Sequence, residues 1–200
     1  MIRVGLTGGI GSGKSYVAAL LNREYGVPVY YTDARAKQLT ATSPAICNAL
    51  TQLVGPQLYQ GGVFHKEVLA AFIFGHPENM ERVNSIIHPA VRKDFQAWAQ
   101  SITDSNVCML ESAILFESGF NTEVDLTVAV QAPLELRIDR CLERDNTDRE
   151  SVLRRISSQM DQDEKCRLAD FVIVNDGVCQ LEPQLAALIN KCKETYNSKH

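Results

Sequence analysis

Residues 5–17, GLTGGIGSGKSYV, constrain the fold of this chain more than any other stretch. Within them Gly8-Gly9-Ile10-Gly11-Ser12-Gly13-Lys14-Ser15 fits the pattern G-x-x-x-x-G-K-[ST] without a gap. Ile2, Val4 and Leu6 alternate ahead of the glycines as in a strand. From Lys14 the pattern turns helical, with Val17, Leu20 and Leu21 on one face and Gly26 placed to stop the helix. Strand, glycine loop and helix in that order make an anion cradle. The glycines let successive N–H groups converge on phosphate oxygens, and the helix N-terminus adds partial positive charge. Lys14 is placed to reach the β/γ-phosphates, and the Ser15 hydroxyl to bind Mg²⁺. A dinucleotide loop would need G-x-G-x-x-G. Counted from Gly9 and Gly11, its last position is Lys14; counted from Gly11 and Gly13, it is Tyr16. The expected ligand is a nucleoside triphosphate.

The rest of the chain supports a layered α/β fold. VPVYYTD (27–33) reads as a second strand ending in Thr32-Asp33, and VCML (107–110), LTVAV (126–130) and FVIV (171–174) as short strands buried on both faces. Helices fit between them. Pro133 suits a first helical position, and Thr147-Asp148-Arg149-Glu150 has the form of a capping box. The alternation predicts a doubly wound parallel sheet with ligands at the carboxyl ends of its strands. Residues 34–101 are mostly helical and too long for a crossover, so they read as a helical insertion. The core is then 1–33 with 102–200.

Composition narrows the function classes. A net charge of -4 with interleaved signs gives no reason to expect nucleic acid as a partner. No apolar window approaches the ~20 residues of a membrane span. The six cysteines form no C-x-x-C pair or Cys/His cluster, as expected of reduced thiols in a cytoplasmic protein.

The loop serves several classes of protein. A guanine-specific switch would carry N-K-x-D, but Asn190-Lys191-Cys192-Lys193 lacks the aspartate. A motor ATPase would place an acidic residue at a strand end, and Glu111 leaves that reading open. Asp33 favours a kinase, because a carboxylate at a strand end can take the proton of an acceptor hydroxyl. It can equally cap a helix beginning near Ala34. Arg137, Arg140 and Arg144 fall at i, i+3 and i+7 on one helix face, and Arg154, Arg155 and Gln159 follow on the next helix. They would line a hairpin closing over a triphosphate, a lid of about 137–160. The plainer reading is a solvated face paired with Asp139, Glu143 and Asp145.

TGGIGSGKS, Asp33 after a short strand, IIHPAVR (86–92), ILFESG (114–119), RCLERD (140–145), RRISSQM (154–160) and ADFVIVNDG (169–177) occur in one order. In that ordered set the sequence resembles the dephospho-CoA kinases over about residues 2–190. The resemblance implies a nucleotide-binding core, a helical acceptor-binding domain and a mobile lid. It implies ATP-dependent phosphorylation of the ribose 3′-hydroxyl of dephospho-CoA, the last step of coenzyme A synthesis. ATP is then the co-substrate, Mg²⁺ the metal and dephospho-CoA the acceptor, with no obligate protein partner.

Carried over by position, the resemblance puts Gly8 and Gly11, Ser12, Gly13, Lys14, Ser15 and Tyr16 on the ATP phosphates, and makes Asp33 the base. His88 and Arg92 would lie near the acceptor nucleotide, Arg140 and Arg144 in the lid, and Asn175 near the adenine. The alternatives are local: His88 before Pro89 suits a helix end, and Asn175 before Asp176-Gly177 suits a turn. Glu111 and Glu117 are left without assigned roles. The sequence departs from the family pattern at Tyr31, where an acidic residue is common, and at His65-Lys66 in place of Asp-Arg. It also departs at Ala113-Ile114-Leu115 and at Tyr16, where Thr is usual. These changes touch acceptor contacts and leave Lys14, Ser15 and Asp33 in place. A nucleoside or nucleotide kinase is the nearest alternative, and a switch-like ATP-binding protein the more distant one.

Overall fold

The structure is a computed structural model that describes residues 1–199. In chain order its elements are β1 (Ile2–Thr7), α1 (Lys14–Tyr25), β2 (Val29–Tyr31), α2 (Thr32–Thr42), α3 (Pro44–Val54), α4 (Lys66–Ile73) and α5 (Pro77–Gln100). Then come β3 (Val107–Glu111), β4 (Leu126–Gln131), α6 (Leu134–Asp145), α7 (Arg149–Ser157), α8 (Gln162–Leu168), β5 (Phe171–Val174) and α9 (Leu181–Lys199). Short 3₁₀ turns cover Pro56–Gly62 and Phe120–Glu123. The chain divides into two compact units, one of Met1–Tyr31 with the chain from Ala99 onward, the other of Thr32–Trp98.

The first unit is built on a five-stranded sheet in the order β2-β3-β1-β4-β5, with every adjacent pair parallel. Each connection must cross over, so helices cover the faces and the strands are mostly apolar. Ile2, Val4 and Leu6 of β1 pack with Val128 and Val130 of β4, Ile173 of β5, Val17 and Leu21 of α1, and Leu185 and Leu188 of α9. Gly26 stops α1 in the left-handed conformation expected of a C-terminal glycine.

The second strand is shorter than the sequence suggests. It pairs only with β3, through Val29↔Met109, Tyr30↔Leu110 and Tyr31↔Glu111. Past Glu111 the partner strand has ended, so Thr32 and Asp33 already belong to α2. Two helix starts also shift by one position. Pro133 is the cap before α6, not its first turn. At α7 the cap is Asp148, whose side chain accepts from Ser151 N, and Glu150 is turned to Arg154.

The second unit is helical, with Ile46 and Leu50 of α3, Leu58 of the first 3₁₀ turn and Val83 of α5 as its buried core. Pro89 does not end a helix after His88. It lies inside the 24-residue α5, which runs on to Gln100 with one backbone donor missing. All six cysteines are free. Among the described residues no helix is long and apolar enough to cross a membrane.

Candidate active site

The glycine loop leaves the carboxyl end of β1, and Ser12 N–H donates to Gly9 O at 3.0 Å to close it. Gly13 is left-handed, with φ 87°, and delivers the chain into α1 at Lys14. A side chain there would be strained by that φ and would strike the Asn175 amide. The loop hydroxyls of Thr7 and Ser12 are buried and have no hydrogen-bond partner among the described residues. Such groups cost about 1–3 kcal/mol unless something bonds them, which suits a cradle for a polar ligand.

Glu111 ends β3 and lies opposite Leu6 of β1 in register. Its carboxylate is buried, with Lys14 Nζ 3.6 Å from Oε1 and the Ser15 hydroxyl donating to the same oxygen at 3.4 Å. One strand-end carboxylate thus gathers the loop's cation and its hydroxyl. The set fits Mg²⁺, because Ser15 and Glu111 offer hard oxygen donors and this ion takes phosphates and waters for the rest. Among the described residues no group of three or more His, Cys, Asp or Glu forms a metal cage, so an ion here would depend on the triphosphate. Tyr31 faces Glu111 in register; burial and that carboxylate's charge push its phenol pKa up.

Arg140 and Asn175 join the loop from the other side. Arg140 donates to Asn175 O at 3.1 Å, and reaches the carbonyls of Gly11 and Ser12 at 3.5 and 3.4 Å. Asn175 is buried, and its amide donates to Ser12 O at 2.9 Å. The turn beyond β5 is held instead by Asp176, which accepts from the N–H groups of Val178 and Cys179.

The arginine face of α6 is split. Arg137 is buried, and its Nε donates to Ile10 O at 2.9 Å; burial pulls its pKa down. Arg144 is exposed and hydrogen-bonded to Asp145, which also accepts from Arg155 at 2.6 Å. These two arginines hold the Asp145 carboxyl well below the usual carboxylate range. Arg154 pairs with Glu150 at 2.6 Å. The solvated pairing expected for the whole face thus holds for Arg144 alone among the α6 arginines.

In the helical unit, Asp33 is exposed in the first turn of α2, two residues past the last residue of β2. His88 and Arg92 stand one turn apart on α5. Burial, and then the positive charge of Arg92, push the His88 imidazole pKa down. Tyr16 is 58% exposed on α1.

Glu111 was marked by its place at a strand end with its role left open, and the structure sets it against Lys14 and Ser15. One feature escaped the sequence: Lys165 carried no signal, although it is fully buried and bonded to Glu117 at 2.8 Å.

Comparison with known proteins points to one family. The dephospho-CoA kinase (CoaE) family model matches residues 2–180. A dephospho-CoA kinase of Bacteroides fragilis is 47% identical over 188 residues, covering 94% of this chain and 91% of that protein. The crystal structure of a Thermus thermophilus protein superposes with a TM-score of 0.83 at 36% identity, covering 95% of this chain and 97% of that one. A dephospho-CoA kinase of Campylobacter jejuni shares the fold, with a TM-score of 0.66 at 21% identity over 99% and 98% of the two chains. With the family model and a close full-length relative in agreement, this chain belongs to the dephospho-CoA kinase family.

Proposed function

We propose that this chain transfers the γ-phosphoryl group of ATP to the ribose 3′-hydroxyl of dephospho-CoA, giving coenzyme A and ADP. The observation that carries the reading is the loop's floor, where buried Glu111 gathers Lys14 and Ser15 at the end of β3. Gly8, Gly11, Ser12, Gly13, Lys14, Ser15 and Tyr16 hold the phosphates through backbone N–H groups and the Lys14 ammonium. Ser15, with Glu111 behind it, would hold Mg²⁺, which would supply neutralising charge to the phosphates.

Asp33 takes the proton of the 3′-hydroxyl as that oxygen attacks phosphorus, and the bond to the β-phosphate oxygen breaks. His88 and Arg92 position the acceptor in the helical unit 32–98, with His88 kept neutral as a hydrogen-bonding group. Arg140 holds the loop's far side and stabilises charge on the transferring group. Asn175 closes the nucleotide end, and Arg144 supplies mobile positive charge from the 137–160 lid. Little of this is covalent chemistry; most of the acceleration comes from positioning and electrostatics.

Purified protein with Mg-ATP tests the reading against dephospho-CoA, AMP, adenosine and no acceptor. ADP release with dephospho-CoA alone, and coenzyme A as product, is the expected result. Turnover with another acceptor would overturn the acceptor; equal slow hydrolysis in every tube would overturn the kinase. Asp33→Asn should lower kcat by about 10²–10⁴-fold with ATP binding kept. Unchanged turnover would reduce Asp33 to a helix-end residue.

A further inference from the structure

Ile10 is the only apolar side chain between Gly8 and Ser15. It is 8% exposed and packs with Ile138 and Cys141 of α6 and Val152 of α7, with Leu142 and Ile156 around them. Its backbone is taken by the same hairpin. The Ile10 N–H donates to Gln159 Oε1, just past α7, at 3.0 Å, and its carbonyl accepts from Arg137 Nε at 2.9 Å. Arg137 fills the space beside it: a side chain at Gly9 would strike its guanidinium, and one at Gly11 its backbone.

None of these contacts serves phosphate. The cradle works through other N–H groups, Lys14 and Ser15, and the Ile10 N–H is already committed to Gln159. The hairpin, in contrast, depends on Ile10. Its buried cluster consists of Ile10, Ile138, Cys141 and Val152, so one of its core residues belongs to the phosphate loop. The outer surface of α7 carries the exposed Arg154 and Arg155 beside the exposed Leu153. Close-packed interiors move as units because a misplaced side chain leaves a gap or a clash. A change of loop conformation must therefore move or release the hairpin.

We propose that Ile10 is a positioning residue that joins the phosphate loop to the α6–α7 hairpin, so that a triphosphate filling the loop also fixes the helix carrying Arg154 and Arg155. The inference rests on the reading of the loop as an ATP site and deepens it. Specificity for the acceptor plays no part in it.

Hydrogen–deuterium exchange of the full chain, with and without Mg-ATP and with no acceptor, tests it in wild type, Ile10→Ala, Ile10→Val and Gln159→Leu. In wild type, ATP should slow exchange both in residues 8–15 and in α7. In Ile10→Ala and Gln159→Leu the loop should still be protected, while the ATP-dependent gain in α7 falls at least about fivefold. Ile10→Val should keep the wild-type pattern. An α7 gain unchanged in both disruptive variants overturns the proposal. So does an equal loss in loop and α7, because Ile10 would then only stabilise the loop. If Ile10→Ala does not fold, Gln159→Leu decides alone, since Gln159 is only partly buried. Protection absent from the wild-type loop overturns the ATP reading itself, and the joint with it.

Discussion

Arg137 and Arg144 stand two turns apart on α6, and packing has given them opposite states. At the inner end Arg137 is buried, with its guanidinium bonded to the Ile10 carbonyl and pressed against the loop glycines. At the outer end Arg144 lies in solvent, bonded to Asp145 at 2.7 and 3.0 Å, with Arg155 on the same carboxylate. The inner arginine is part of the loop's scaffold. The outer pair, Arg144 of α6 and Arg155 of α7, is held by one surface carboxylate. Burial therefore separates a structural arginine from a solvent-exposed one within a single amphipathic helix.

Substitutions at the two ends should separate accordingly. Of the two, the larger effect on activity is expected from Arg144→Ala, which should lower kcat/KM about 10²–10³-fold, as the loss of a charge-stabilising donor does. Its stability to urea should stay within ~0.5 kcal/mol of wild type, because the side chain is exposed. Intact activity would make the outer end merely solvated.

Arg137→Ala should do the reverse in its first effect. It opens a gap beneath the loop and leaves the Ile10 carbonyl unpaired, so urea unfolding should show a loss of about 2–4 kcal/mol. A loss below that of Arg144→Ala would erase the contrast.

Asp145→Asn frees Arg144 and Arg155 without removing either. The KM for ATP should fall by about two- to fivefold at low salt, and the difference should shrink as salt rises. A raised KM would show that Asp145 holds the arginines in a productive pose.

The smallest effect is a pH response in the helical unit, where burial is partial. The His88 pKa is depressed in the folded chain, so the unfolded chain binds the extra proton first as pH falls below the ordinary imidazole value of ~6.5. Stability should be full above that pH and decline below it until the folded imidazole protonates. In thermal melts between pH 5 and 8, His88→Gln should flatten this slope; an unchanged slope would place its origin elsewhere.

Much of the fold was legible because its signals are local. The run from Ile2 to Ser15, the apolar strands and Gly26 each express a backbone period or a glycine conformation that neighbouring residues determine. The candidate base Asp33 was legible as a residue near a strand end, although the helix starts at Thr32 because β3 has no residue left to pair with. Asp148 replaced Thr147 as the cap, and Pro89 was absorbed in α5, because both outcomes depend on how the helix packs as well as on its own sequence.

The sequence by itself determined that a phosphate cradle sits between a strand and a helix, that a parallel sheet supports it, and that arginines share a helix face. Only the tertiary structure decided which of those arginines serve the scaffold. Arg137 meets Ile10 across 127 residues of chain, and Arg140 meets Asn175 across 35. A helical repeat gives every arginine on one face the same local description. The cost of burying a guanidinium, and the carbonyls available to receive it, are set by elements distant in sequence.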